Sequence, residues 1–175
     1  MALEFSEAER RKINEIVDKL KAMDKRSIIS YWITAELDEA EVYNKLAWRT
    51  REYSWDERIS TLFEELARES MEHAEMLLRE YKNKYHNEEL VETGLPSIEL
   101  ELSLEDLERD IRSGRLEDLV TILMESEKLA EEIYRYLAEN SSGDTGALFE
   151  HLANVEKGHY LKLKKLRDSL GKLGR

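Results

Sequence analysis

The chain has 175 residues, 41% apolar and 38% charged, with a net charge of −12. That length suits one domain with a sizeable core, and the acidic balance argues against nucleic acid or an anionic membrane as partner. No Cys is present, which excludes disulfides, thiolate catalysis, zinc–cysteine sites and cysteine-ligated iron centres.

One Pro and seven Gly leave little punctuation, so long helices are expected rather than many short strands. Six helical segments follow in chain order. The first, α1 (residues 6–23), opens with Ser6 and, three residues on, Glu9, a capping box. Its apolar positions Ile13, Ile16, Val17 and Leu20 form one narrow stripe, which suits packing on the outside of a bundle. Segment α2 (25–52) has Asp24 as its cap. Segment α3 follows Ser54, with Glu57 completing another capping box, and runs to residue 85. The α2–α3 connection is short, so the two should be antiparallel neighbours.

Residues 86–115 then hold the only Pro and a short helix, α4, opened by Ser103 with Asp106 at the capping-box position. This connection is too long for a plain loop. It is what a bundle needs when α3 ends at the opposite pole from the start of the next long helix. Segment α5 (116–140), the turn SSGDTG and segment α6 (145–170, stopped by Gly171) complete a second antiparallel pair. The whole, 1–175, reads as one all-α domain. Residues 1–24 hold an extra N-terminal helix, 25–85 the first pair, 86–115 the crossover and 116–170 the second pair. The opening MALEFSEAERRK is too charged for a signal peptide, and the longest apolar stretch, near residues 28–35, is far short of a membrane span. The expected location is the cytoplasm, away from the membrane.

The two pairs repeat one another. Residues 62–74, LFEELARESMEHA, match residues 148–160, LFEHLANVEKGHY, without a gap at Leu, Phe, Glu, Leu, Ala and His. Likewise Glu36, Tyr43, Leu46 and Ala47 match Glu127, Tyr134, Leu137 and Ala138. Each pair thus carries a Glu on its first helix and a His on its second. Helix bundles build metal sites from inward carboxylates and imidazoles of this kind.

On α6, Glu156 and His159 are three residues apart, so they share a face one turn apart and can reach one inward metal. Glu36 and Glu127 lie near the midpoints of α2 and α5, at matching depth. A lone Glu on a helix is usually exposed. Glu36, however, sits on a face with Ile29, Trp32 and Ile33, and Glu127 on a face with Val120, Leu123 and Met124. An unpartnered carboxylate on a core face is costly and calls for a partner or a metal. His73 and His159, at matching places in the repeat, are the imidazole candidates; His86 and His151 have no such company. Tyr43 and Tyr134 follow Glu36 and Glu127 by two turns on the same face, either as core aromatics or as hydrogen-bond partners that orient a ligand.

At these residues the chain resembles the ferritin-like superfamily, and within it the rubrerythrin-like di-iron proteins, over about residues 25–170. The resemblance implies a ferritin-like four-helix bundle with Glu and a later Tyr on the first helix, Glu-x-x-His on the second, Glu on the third and Glu-x-x-His on the fourth. Glu36 with Tyr43, His73, Glu127 with Tyr134, and Glu156 with His159 fit it. One position departs: Ser70 stands where the family has a metal-bridging Glu, and the repeat aligns it with Glu156. A serine hydroxyl is a poor iron ligand beside a carboxylate. Glu69, four residues before His73 and about 40° from it round the helix, is the natural substitute, and Glu131, one turn after Glu127, is a further carboxylate candidate. Ala130 stands where rubrerythrins carry an extra carboxylate, and without Cys there is no rubredoxin domain to deliver electrons.

The resemblance implies two irons per chain, with manganese or a mixed pair as alternatives, since oxygen-rich ligands with two imidazoles suit these metals better than copper or zinc. It implies a non-haem oxidoreductase acting on peroxide or O2 in oxidative stress, an external electron donor, and a homodimer. Two alternatives stand beside it: iron binding or storage without turnover, and a bundle whose metal site is degenerate, acting as a structural or interaction module. Ser70 favours the last and retention of His73 opposes it.

Overall fold

The computed structural model describes residues 7–53, 56–86, 88–97 and 104–171, and these form helices joined by turns, without strands. The helices are α1 (Glu7–Ala22), α2 (Lys25–Tyr53), α3 (Glu57–Tyr85), α4 (Leu104–Arg112), α5 (Leu116–Glu139) and α6 (Gly143–Gly171). Among the described residues, no helix is long and apolar enough to cross a membrane.

Local chemistry sets the ends. Asp24 Oδ1 accepts the backbone N–H of Ser27 at 2.8 Å, capping α2 as expected. The start of α3 differs. Its cap is Asp56, whose Oδ1 accepts the N–H of Arg58 at 3.0 Å. An aspartate there satisfies an orphan donor and also places negative charge at the positive end of the helix dipole. The expected caps Ser6, Ser54 and Ser103 lie outside the described residues. Gly114, at φ +71°, ends α4 in the left-handed region open to glycine, and its N–H returns to Ile111 O at 3.1 Å. The turn before α6 is shorter than expected, because Gly143 and Asp144 already belong to that helix.

The four long helices pack as two antiparallel pairs, α2 with α3 and α5 with α6. Contacts between the pairs give their relative direction. Lys25 meets Asp144 at 3.0 Å, Trp32 packs edge-on against His151, and Glu39 meets His159. Residue numbers rise together, so α2 and α6 run parallel. Arg58 meets Ser169 and Glu65 meets Lys162, so α3 and α6 run antiparallel. A simple up-down-up-down chain does not give this order; the long crossover does. The crossover lies along α2. Val91 N–H donates to Ser30 Oγ, and the Tyr31 hydroxyl donates to Pro96 O. The architecture is a ferritin-like bundle with an extra N-terminal helix, as the sequence implies. Helix α1 lies against α5, with Ile16 and Leu20 buried.

The core is divided in two along the bundle axis. One cluster gathers Ile28, Trp32, Tyr81, Tyr134, Phe149 and Leu152 with the buried side of α1. The other gathers Tyr43, Phe63, Leu66, Leu119, Leu123 and Leu163 with Leu107 and Ile111 of α4. Truncating a buried aromatic such as Phe63 or Phe149 to Ala costs about 3–5 kcal/mol. Between the two apolar clusters lies a layer of buried polar side chains.

Candidate metal centre

That layer is built by single turns near the middle of each long helix. Helix α2 supplies Glu36 and Glu39, α3 supplies Ser70 and His73, α5 supplies Glu127, and α6 supplies Glu156 and His159. Residues three apart on a helix lie on one face, which is why Glu36 with Glu39, and Glu156 with His159, enter the interior together. Glu36, Glu39, Ser70, Glu127, Glu156 and His159 are each at most 3% exposed.

Four of these groups converge. Glu39, Glu127, Glu156 and His159 each bring one ligand atom to within 4.8 Å of all the others. His159 Nδ1 faces the carboxylates, 3.2 Å from Glu39 Oε1, 3.8 Å from Glu127 Oε1 and 3.9 Å from Glu156 Oε2. Beside this group, Glu36 Oε1 accepts the Trp32 indole N–H at 2.9 Å and lies 3.6 Å from His73 Nδ1. The His73 and His159 rings stack with centroids 6.1 Å apart, so the two groups adjoin.

The electrostatics are those of a site short of positive charge. Burial, and then the negative charge of Glu39, pushes Glu127 up to about 8, against the lowering hydrogen bond with Glu156 and the charge of His159. Burial, and then Glu127, raises Tyr43 well above the ordinary phenol value. Tyr43 therefore stays a donor, and its hydroxyl lies 2.5 Å from Glu127 Oε1. Glu36 Oε2, Ser70 Oγ, His73 Nδ1, Glu127 Oε2 and His159 Nε2 are buried without a hydrogen-bond partner. Native interiors rarely leave such atoms unsatisfied. Carboxylate oxygens with two imidazoles are a donor set suited to iron or manganese, and the residues fit such an ion.

The structure brings together Glu127, Glu156 and His159 of the expected residues, with Glu36 and His73 adjoining. Ser70 is wholly buried beside them. Glu69 stands at the edge between α3 and α6, its Oε2 3.7 Å from His159 Nε2 and its Oε1 on Lys162. Glu131 is drawn off by two cations, Lys128 at 3.2 Å and Arg135 at 3.3 Å, and lies outside the cluster. Tyr134 stacks on Phe149 within the apolar core. Of the other histidines, His86 caps the end of α3, and His151 is exposed. Sequence reasoning missed Glu39. The available signal was its position on the face of Glu36, one turn before Tyr43. The repeat hid it, because it aligns Glu39 with Ala130.

Comparison with known proteins agrees with this fold. No curated protein matches the chain. A solved structure described as a hypothetical protein from Pyrococcus furiosus is similar over 90% of this chain and 96% of its own, with 25% identity and a TM-score of 0.61. The model of the family described as Rubrerythrin matches residues 27–167, from the second residue past Lys25 on α2 to the last turns of α6. With all four site-bearing helices inside that match, the chain belongs to the rubrerythrin family.

Proposed function

We propose that this chain is a non-haem di-metal protein that binds iron and reduces peroxide or O2 with electrons from an external donor. The observation that supports it best is the buried convergence of Glu39, Glu127, Glu156 and His159 in a chain of the rubrerythrin family. Those four residues would hold one ion, and the adjoining Glu36 and His73 would hold a second. Iron held there would supply the one-electron chemistry for reducing the oxidant, with the external donor as the source of electrons.

The chain's own residues set the conditions. The apolar clusters above and below the layer bury Glu39, Glu127, Glu156 and His159, which strengthens the charge interactions among them. Tyr43 donates to Glu127 Oε1 and so orients this carboxyl, which burial favours in its protonated form in the metal-free protein. A cation bound beside it would favour the ionised carboxylate instead. Trp32 fixes one oxygen of Glu36 and leaves the other for the metal.

Ser70 is the observation that favours a second reading. Its buried, unpartnered hydroxyl leaves the Glu36–His73 side one negative charge poorer than a Glu would. A chain that keeps only the first ion binds metal without turnover.

The test is metal content by elemental analysis after anaerobic loading with Fe(II) and desalting, followed by peroxide consumption with a chemical reductant. About two irons per chain and consumption of peroxide are expected for a bundle with two sets of inward ligands. About one iron without consumption supports the binding-only reading, and no iron overturns both in favour of a structural or interaction module.

A further inference from the structure

Outside the cluster, a line of charged groups runs from His159 to the surface. His159 Nδ1 faces the three carboxylates, so Nε2 points the opposite way, buried and unpartnered. The group it points at is Glu69, whose Oε2 is 3.7 Å away. The other Glu69 oxygen is bound by Lys162, which also donates to Glu65 Oε1 at 2.9 Å. Lys162 lies one turn after His159 on α6, and Glu65 one turn before Glu69 on α3. One ammonium therefore ties the two helices together beside the ring.

We propose that Glu69 and Lys162 are positioning residues for His159: Lys162 fixes the Glu69 carboxylate, and Glu69 receives the Nε2–H of the imidazole. This rests on the reading of Glu39, Glu127, Glu156 and His159 as a metal site. A neutral imidazole has one donor and one acceptor nitrogen. Ligation through Nδ1 requires the proton on Nε2, and a carboxylate facing Nε2 holds both the tautomer and the ring plane. The Nε2–Oε2 separation is one small side-chain rotation from a hydrogen bond.

An isolated surface ion pair contributes little. Here the lysine bridges two carboxylates from one helix to another, next to an orphaned ring nitrogen. Without Lys162, Glu69 loses its anchor and can turn to solvent. Glu69 is thereby assigned an outer, orienting role rather than that of a bridging ligand in place of Ser70.

The experiment compares wild type with Lys162→Met, Glu69→Ala, the double variant, the rescue variant Lys162→Arg, and Arg68→Met as control. Arg68 pairs with Glu72 on the outer face of α3 and reaches Glu69 and Glu65 only through longer-range charge, so it controls for loss of a nearby cation without loss of the anchor. Two readouts are taken: the Co(II) dissociation constant with its visible spectrum, and 15N-histidine NMR of the metal-free and Zn(II)-loaded chains. Either single variant should weaken Co(II) binding about 10- to 100-fold, the range for outer partners of metal-bound histidines. The double variant should be no worse than the singles, Lys162→Arg should restore affinity, and Arg68→Met should match wild type. In wild type His159 Nε2 should be the protonated nitrogen, and Lys162→Met should broaden or mix that signal. Unchanged Co(II) affinity and an unchanged His159 signal in Lys162→Met overturn the proposal, as do additive single effects. If wild type binds no metal, the metal reading fails, and the NMR of the metal-free chain still decides the positioning role: loss of the Nε2–H signal in Lys162→Met supports it, and an identical signal overturns it.

Discussion

The two halves of the polar layer start from the same repeated sequence and end differently. On the α5–α6 side, Glu127, Glu156 and His159 are joined by Glu39 in one tight group. On the α2–α3 side, Glu36 and His73 lie 3.6 Å apart, but the residue matching Glu156 is Ser70. His73 is also more open, with 26% of its side chain exposed against 2% for His159. Two side chains mark the contrast: Glu39 joins the tight group, and Ser70 stands where its counterpart is a carboxylate. A carboxylate at position 70 would add a charged donor group; a neutral hydroxyl does not. A repeat can thus keep its fold while the side chains its halves bring inward diverge.

The largest expected effect breaks the stronger half. His159→Ala or Glu156→Ala should abolish tight metal binding, because each removes a ligand of the four-group cluster, whereas His73→Ala should cost only the second ion. Elemental analysis after Fe(II) loading reads the difference, and equal losses in the two halves would mean the asymmetry is wrong.

Ser70→Glu should sharpen the comparison from the other side. It restores the carboxylate that the repeat puts at Glu156, so the second ion should survive desalting. In the metal-free protein the same change should lower the melting temperature, since it buries another negative charge beside Glu36.

A smaller, continuous effect comes from Glu127. Its carboxyl titrates near 8 in the folded chain against an ordinary 4.5. The folded state therefore holds more protons than the unfolded state between those values, and stability falls as pH rises through that window. The slope is at most about 1.4 kcal/mol per pH unit. Thermal melts of metal-free protein should decline from pH 5 to 8, and the decline should flatten in Glu127→Gln and on metal loading. A melting temperature that rises across that range would contradict the buried-acid assignment.

The smallest effect is expected from Tyr43→Phe. It removes the hydroxyl bound to Glu127 Oε1 and leaves a buried acceptor unsatisfied, a loss of about 1–3 kcal/mol. Denaturant titration of the metal-free chain measures it, and metal content should be retained.

Much of this arrangement is local and so legible in the chain alone. Helical periodicity is a property of neighbouring residues. It placed Glu127, Glu156 and His159 on inward faces, and the repeat matched Ser70 to Glu156 before any packing was known. The length of residues 86–115 implied the crossover, because antiparallel neighbours need only a short turn. What tertiary structure decided were matters of rotation and reach between helices. Both Glu36 and Glu39 lie on the inner face of α2, and only the rotation of that helix against α5 and α6 selects Glu39 for the tight group. Glu131 is drawn to Lys128 and Arg135, and Lys162 meets Glu69 across a helix interface. Such choices turn on a fraction of a helical turn, about 100° per residue, and on partners far apart in sequence. Local pattern sets which residues can face inward; packing sets which of them meet.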